Sequence, residues 1–307
     1  MKDNRQPIHT PAHTEDDKVR GILFPSPIFG PVHSRRLGVS LGINLLPADG
    51  KVCSFDCIYC ECGYNGNRRL RGSRFPSREE VQEGLRRQLM KMRNEGSPLD
   101  VITFAGNGEP TLHPQFLGVM QDTIALRDEF FPLAKVSVLT NGAQILRQDV
   151  FDALMLCDNN IVKLDTVSPD YIRQLDRPVH PSYDVHAIIR RMQAFHGHCI
   201  VQTIFLKGTH RKEEDCTINK GIHAREEAAN IEKADMNAGE VWNVSNLGNE
   251  YVEPWLEAVK SIQPEEVMVY TIDRDTPSPL LEKASPAELD AIAERVRNLG
   301  IPCQVSY

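Results

Sequence analysis

The sequence predicts an α/β fold made of parallel strand–helix units, and three observations support this class. Six short apolar runs, each long enough for one strand, alternate with helical segments between residues 40 and 272. The chain has 307 residues, a length that could hold two ordinary domains but that often forms a single α/β barrel. Apolar residues make up 41% and charged residues 25%, which are ordinary values for a globular protein with a sizeable core.

The N-terminal part of the chain precedes this alternation. Residues 1–20 are polar and lack hydrophobic periodicity, so we expect a flexible N-terminal arm. Residues 21–47 are punctuated by proline and glycine, which predicts a short hairpin and then a buried strand near 40–46. Arg35 and Arg36 lie in the turn ahead of that strand. They suit an anion site, and a solvated turn is the alternative.

The predicted helices and strands follow in order. Ser77 and Glu80 have the spacing of a capping box, which predicts a helix to about residue 94, ended by Gly96. Ser285 and Glu288 repeat the signal ahead of a helix to 298, followed by a final edge strand at 301–307. Between them we expect strands at 100–105, 135–139, 161–165, 199–206 and 267–272, and helices at 114–130, 146–156, 169–174, 185–196 and 252–262.

Residues 208–250 interrupt this alternation between the fifth strand and its helix. The segment is rich in Glu, Lys, Asn and Ala and poor in large apolar residues. Connections longer than about 15 residues are usually functional or disordered. We therefore expect this insertion to be a mobile lid over the carboxyl ends of the strands, or a disordered segment.

The strongest chemical signal is the run Cys53-Ser54-Phe55-Asp56-Cys57-Ile58-Tyr59-Cys60, with Cys62 close behind it. Three thiols at C-x3-C-x2-C spacing can surround one small object, and thiolates select zinc or iron–sulfur clusters over hard cations. A structural zinc site usually takes two separated pairs of ligands. The sequence has no second pair, and Cys62 as a fourth ligand would make a strained bite with Cys60. Three ligands suit a cubane cluster with one iron left open.

This run, with an aromatic residue before its third cysteine, resembles the cluster loop of the radical S-adenosylmethionine (SAM) superfamily. The resemblance implies that Cys53, Cys57 and Cys60 bind a [4Fe–4S] cluster. The open iron would bind the amino and carboxylate groups of SAM, and one electron would release a 5′-deoxyadenosyl radical. The resemblance also implies a partial (β/α)6 TIM-like barrel of parallel strands with an N-terminal hairpin extension and a long βα insertion. On this interpretation residues 21–275 form the core barrel, including the insertion at 208–250, and residues 276–307 form a C-terminal helix–strand appendage.

By the same resemblance, further residues contact SAM. Tyr59 lies at the position near the adenine, although simple packing would also explain an aromatic residue there. The run Gly106-Asn107-Gly108-Glu109 is similar to the Gly-Gly-Glu element that holds the amino group of SAM. The role is carried to Gly106, Gly108 and Glu109, and the inserted asparagine departs from the commonest form.

Polar residues that end the next strands complete the predicted site. The resemblance places Asn141, Lys163 and Asp165 where such barrels contact the methionine carboxylate and the ribose of SAM. Each of these residues could instead cap a strand or a turn. The sequence assigns no catalytic residue for the reaction on the substrate.

Composition restricts the class of partner. The net charge of −7 gives no overall attraction to nucleic acid or to acidic membranes, although a basic run at 68–74 could bind RNA or be a solvated loop. No apolar run approaches the roughly 20 residues of a membrane span. Eight cysteines without a signal peptide indicate a reducing compartment, so we expect a cytoplasmic protein.

The motifs at 34–38, 53–60, 106–111 and 270–274 resemble those of a bacterial and archaeal group related to the tRNA wybutosine-synthesis radical enzymes. The chain lacks an evident second set of cluster cysteines and a strongly basic surface. We therefore expect a radical SAM enzyme of unidentified substrate, RNA or protein, with a reductant protein of the flavodoxin or ferredoxin type. The alternatives are a tRNA-modifying enzyme, a glycyl-radical activase, and a nonenzymatic iron–sulfur electron carrier or zinc-binding adaptor.

Overall fold

The structure is a computed structural model that describes residues 21–34, 38–66, 74–211 and 241–307. Several expectations from the sequence lie outside these ranges. They concern the arm at 1–20, the paired arginines at 35 and 36, most of the basic run at 68–74, and residues 212–240 of the insertion.

Strands and helices alternate along the described ranges. The strands are β1 (Ile28–Ser34), β2 (Gly38–Ile43), β3 (Val101–Phe104), β4 (Lys135–Thr140), β5 (Asn159–Lys163), β6 (Ile200–Ile204), β7 (Leu206–Arg211), β8 (Val241–Asn243), β9 (Glu266–Tyr270), β10 (Leu281–Lys283) and β11 (Cys303–Ser306). The α-helices are α1 (Arg78–Asn94), α2 (Phe116–Phe130), α3 (Gln148–Leu156), α4 (Pro169–Leu175), α5 (Val185–Gln193), α6 (Asn249–Ile262) and α7 (Pro286–Arg297).

Eight strands form one central sheet in the order β1-β2-β3-β4-β5-β6-β9-β11. β1 pairs with β2 in antiparallel fashion, and every other neighbouring pair in this sheet is parallel. The predicted hairpin, the parallel strand–helix units and the final edge strand are therefore confirmed. Within the described ranges the sheet does not close, since β1 and β11 are its two edges. The fold is a partial α/β barrel, as the sequence predicts.

Local sequence signals account for the helix boundaries. Ser77 Oγ accepts a hydrogen bond from Glu80 N at 3.2 Å, and the Glu80 carboxylate accepts one from Ser77 N at 2.7 Å, so the predicted capping box begins α1. Ser285 and Glu288 form the second predicted box at the start of α7. Both helices then bury an apolar stripe against the sheet.

The two faces of the sheet differ. On β4, Val136 and Val138 belong to the large core under the helices. Leu139 packs on the opposite face with a small apolar cluster that includes Ile161 and Met268. This alternation is the one that a parallel strand needs when one face meets helices and the other lines the interior of a barrel. No helix within the described ranges is long and apolar enough to span a membrane.

A second sheet, in the order β10-β7-β8, is antiparallel and lies beside the end of β6. It adjoins an apolar cluster that joins Ile58 of the cysteine loop to Tyr171, Leu175 and Leu206. The predicted insertion at 208–250 therefore starts inside β7 and ends in α6. The expectation of a lid or a disordered segment concerns residues 212–240 and stays a prediction.

Candidate functional site

The cysteine loop follows β2 and lies at the carboxyl ends of the parallel strands, where barrel chemistry is normally found. One side of the loop pairs with the segment after β3: Val52 N donates to Asn107 O at 2.8 Å, and Glu109 N donates to Val52 O at 3.1 Å. Gly108 has a φ of +131°, and a Cβ there would lie 1.9 Å from Val52 O. Only glycine fits this close approach, so the predicted glycine motif fixes the loop.

The other side of the loop pairs with residues 175–179, which follow α4. Ile58 N donates to Leu175 O at 3.0 Å, and Val179 N donates to Ser54 O at 2.9 Å. The loop is therefore held between two backbone segments, and its conformation does not depend on its own short sequence alone.

Asn65 stabilises the inside of the turn. Its Oδ1 accepts from Cys53 N at 2.9 Å, and its Nδ2 lies 3.2 Å from both Cys53 O and Phe55 O. Asparagine commonly satisfies backbone groups of a turn in this way. Sequence analysis missed this residue, although the Asn-Gly pair at 65–66 is a turn signal that could have indicated it.

Hydrogen-bond donors point at two of the three sulfurs. Asn141 Nδ2 lies 3.4 Å from Cys53 Sγ, and Phe55 N lies 3.5 Å from the same atom. Lys163 Nζ lies 3.2 Å from Cys57 Sγ. Hydrogen bonds to sulfur orient and stabilise thiolate ligands, and they are a usual feature of cluster sites.

Lys51 brings a second ammonium group to the cysteines. Its side chain is 1% exposed, and Nζ donates to Gly63 O at 3.0 Å and lies 3.5 Å from Asp56 Oδ1. Burial alone would lower the pKa of Lys51, but negative charge on the three predicted cluster cysteines raises it above its ordinary value. Sequence analysis missed Lys51, because a lysine two residues before a cysteine is not a distinctive pattern.

The thiols themselves differ in acidity. Burial raises the pKa of Cys53 to about 11 and raises that of Cys57 as well. Cys60 and Cys62 share a side-chain hydrogen bond that lowers the pKa of Cys60 and raises that of Cys62. Cys62 Sγ also donates to Gly106 O at 3.3 Å. Cys62 therefore acts as a hydrogen-bond donor beside the thiolate of Cys60.

The donor set fits a cluster better than a single ion. In the part of the chain that the structure describes, no three His, Cys, Asp or Glu side chains are arranged to hold one metal ion. A tetrahedral zinc site needs ligands that converge on one point, whereas a cubane takes one thiolate at each of several separate irons. Three thiols on one loop, with two ammonium groups and several donors around them, suit the second kind of group.

Glu109 lies next to this set and is 2% exposed. Its Oε1 accepts from Thr111 N at 3.1 Å, Thr111 Oγ1 at 2.5 Å and Thr140 Oγ1 at 2.7 Å. Its Oε2 accepts from Asn141 N at 2.7 Å. Burial raises the pKa of Glu109, and these hydrogen bonds oppose the increase. A carboxylate offers about four lone-pair sites, two on each oxygen. Oε2 can therefore accept a further donor such as an ammonium group.

Asn107 explains the departure from the Gly-Gly-Glu form. Its side chain is fully buried and mimics a strand partner for Phe24, accepting from Phe24 N at 2.7 Å and donating to Phe24 O at 2.9 Å. It also donates to Pro47 O at 2.8 Å. The inserted asparagine thus anchors the N-terminal extension to the site, while the glycines on either side keep their role in the loop.

A buried polar group lies on the far side of Cys57. Tyr59 OH donates to Asp165 Oδ2, and Asp165 Oδ1 accepts from Ile204 N at 3.0 Å. Lys163 Nζ lies 3.3 Å from Asp165 Oδ2 and 2.5 Å from Asp176 Oδ1. Burial raises the pKa of Asp176 to about 7, although the neighbouring Lys163 opposes this. Asp176 is the C-cap of α4 and gave no signal in the sequence.

All the predicted site residues thus lie in one region at the end of the sheet. A cavity of about 280 Å³ opens beside the loop and is lined by Tyr59, Cys60, Cys62 and the carboxyl ends of β6 and β9. A larger cavity of about 790 Å³ lies at the first residues of β3, β4, β5, β6 and β9. It is at the opposite end of the strands and contains none of the predicted residues.

Comparisons with known proteins agree with this arrangement. A sequence model of the Radical SAM superfamily matches residues 49–217. The chain is 35% identical over 190 residues to the UPF0026 protein MJ1312 of Methanocaldococcus jannaschii, a match that covers 61% of this chain and 56% of that protein. The chain therefore spans little more than half the length of this relative.

Two solved structures are similar in fold. A radical SAM methyltransferase from Sphaerobacter thermophilus has a TM-score of 0.57 at 14% identity, covering 87% of this chain and 66% of its own. A structure of TYW1 with a lysine-pyruvate adduct bound has a TM-score of 0.52 at 12% identity, covering 84% and 73%. The resemblance stated from the sequence motifs is confirmed.

Proposed function

Because this chain belongs to the radical SAM superfamily, we propose that it binds a [4Fe–4S] cluster through Cys53, Cys57 and Cys60 and cleaves SAM reductively. The bound cluster would supply one electron, which divides SAM into methionine and a 5′-deoxyadenosyl radical that abstracts hydrogen from a substrate. The remaining contribution of the protein is to hold and orient these groups and to limit access of water.

One observation supports this proposal above the others. A single side chain, Asn141, connects Cys53 to Glu109: its Nδ2 lies 3.4 Å from Cys53 Sγ, and its backbone N lies 2.7 Å from Glu109 Oε2. A group bound at the cysteines would therefore lie close to a buried carboxylate. An electron carrier or a zinc-binding adaptor has no need of that carboxylate beside its metal.

Each predicted SAM contact has a proposed task. Glu109 Oε2 would accept the ammonium of SAM, and the glycines at 106 and 108 let the backbone approach it. Asn141 would fix the methionine end, and Tyr59 would lie against the adenine. Lys163 and Asp165 as SAM contacts stay predictions, because both side chains are engaged within the protein.

The electron must come from outside the chain, so we include a reductant protein of the flavodoxin or ferredoxin type in the proposal. The cluster cysteines are free thiols in the described ranges, and thiolate ligands persist best in a reducing compartment such as the cytoplasm. The substrate is proposed by class alone, as an RNA or a protein.

Anaerobic reconstitution tests this function. The protein should take up iron and sulfide with a broad visible absorption band, and with dithionite and SAM it should yield 5′-deoxyadenosine by chromatography. Cys57→Ala should abolish both. The matched control is Cys303→Ala, which removes a half-buried thiol at the start of β11, away from the loop, and should change neither.

Two results would contradict the proposal. Stoichiometric zinc without the absorption band would support the adaptor. A reconstituted protein that binds SAM but forms no 5′-deoxyadenosine under several reductants would support the electron carrier.

A further inference from the structure

The ammonium group of Lys163 is enclosed by acceptors and aromatic rings. Its Nζ lies 4.6 Å from the ring centre of Phe55 and 5.2 Å from that of Tyr59. The side chain is 13% exposed, and the carboxylates of Asp165 and Asp176 beside it are 0% and 4% exposed. Lys163 therefore occupies a nearly closed pocket directly behind Cys57.

Three acceptors match the three hydrogens of this ammonium group. They are Asp176 Oδ1 at 2.5 Å, Asp165 Oδ2 at 3.3 Å and Cys57 Sγ at 3.2 Å. A lysine ammonium has three donors and no acceptor. A contact from Lys163 to the carboxylate of SAM would have to replace one of these three.

The two carboxylates are themselves fixed, so they determine where the ammonium group lies. Asp165 Oδ1 accepts from Ile204 N at 3.0 Å, and its Oδ2 accepts from Tyr59 OH. Asp176 belongs to the segment whose backbone pairs with the cysteine loop, since Asp176 O accepts from Asp56 N at 3.0 Å. The support of Lys163 and the support of Cys57 are thus one structure.

We propose that Lys163 is a positioning residue that donates a hydrogen bond to the cluster-binding sulfur of Cys57 and raises the reduction potential of the cluster, with Asp176 opposing it. This inference rests on the proposed function, in which Cys57 is a cluster ligand. Reduction adds one electron to the cluster, supplied in the test by the titrant. A positive charge beside a ligand sulfur favours the more negative reduced form, and a carboxylate disfavours it.

The test is a redox titration of the reconstituted protein without SAM, followed by the spectrum of the reduced cluster. At a fixed potential, Lys163→Met should lower the ratio of reduced to oxidised cluster at least tenfold, which is about 59 mV for a one-electron couple. Asp176→Asn should raise that ratio several-fold, because asparagine keeps the acceptor for Lys163 but loses the negative charge. The control is Lys207→Met, which removes a lysine paired with Glu288 at 3.1 Å on the surface and should leave the ratio unchanged.

Opposite shifts distinguish this role from a merely structural one, since a general opening of the site would move both variants in the same direction. Equal shifts, or none, would overturn the inference. So would a Lys163→Met protein with an unchanged potential and at least tenfold weaker binding of SAM, which would make Lys163 a SAM contact. If Lys163→Met assembles no cluster, Asp176→Asn decides: a higher ratio supports the inference, and an unchanged or lower ratio overturns it. A wild-type protein that forms no cluster contradicts the proposed function itself.

Discussion

Two buried charged groups flank the cysteine loop, and their partners differ in kind. Glu109, beside Cys53, accepts hydrogen bonds from two hydroxyl groups and two backbone N–H groups, all of them neutral. Lys163, beside Cys57, donates to two carboxylates and a thiol. The charge of Lys163 is balanced within the protein, whereas the described partners of Glu109 leave its charge unbalanced.

This difference indicates which of the two groups binds a ligand. A buried charge that only neutral dipoles solvate keeps a strong attraction for an opposite charge in a low dielectric. Glu109 therefore suits the ammonium group of SAM. Lys163 already has its counter-charges, and a ligand carboxylate would compete with two preorganised aspartates. Both residues match the same family pattern in the sequence, and only their surroundings separate them.

The largest effect is expected from breaking the balanced side. Lys163→Met leaves two buried carboxylates without their counter-charge, and loss of one partner of a buried ion pair costs about 3–5 kcal/mol. We expect a loss of this size in the free energy of unfolding of the cluster-free protein, measured by chemical denaturation. Lys163→Met combined with Asp176→Asn should recover much of it. A double variant no more stable than Lys163→Met would show that the charge balance is not the cause.

A smaller effect is expected on the unbalanced side. Glu109→Gln removes the charge but keeps the shape, and a hydrogen bond to a charged group contributes about 1.5–3 kcal/mol. Binding of SAM to the reconstituted protein should weaken by about tenfold to a hundredfold, while the iron content stays unchanged. Glu129→Gln, on the surface and paired with Arg86, is the matched control and should bind SAM normally. Unchanged SAM titration in Glu109→Gln would refute the assignment of Glu109.

The sequence predicted much of the fold because its signals were local. The two capping boxes, the apolar strands and the Pro-Gly hairpin each depend on neighbouring residues, and the structure contains all of them. The strand boundaries moved by one to three residues where polar ends such as Leu164-Asp165 leave the sheet to form the site. β7 was merged with β6 in the prediction, since one apolar run at 199–206 continues across the break at Phe205.

The candidate site was predictable where a motif carried it. The cysteines and Glu109 have fixed spacings that short-range patterns reveal. Lys51, Asn65 and Asp176 were missed, because their importance arises from contacts made only after folding. Asp176 is 13 residues from Lys163 in the chain, on a different element, and a lone aspartate after a helix is usually an ordinary cap.

The smallest effect is expected at Cys60, where the donor to the sulfur is a neutral thiol. Cys62 shares a hydrogen bond with Cys60 and donates to Gly106 O, so it lies beside the cluster ligands in a different role. A thiol is a weak donor, and a neutral hydrogen bond contributes only about 0.5–1.5 kcal/mol. Cys62→Ala should therefore keep its iron, sulfide and absorption band after reconstitution, and it should shift the reduction potential less than Lys163→Met does. Cys62→Ser, which keeps a donor, should lie closer to the wild type. Complete loss of the cluster in Cys62→Ala would make Cys62 a ligand, and the contrast between a charged donor at Cys57 and a neutral one at Cys60 would no longer hold.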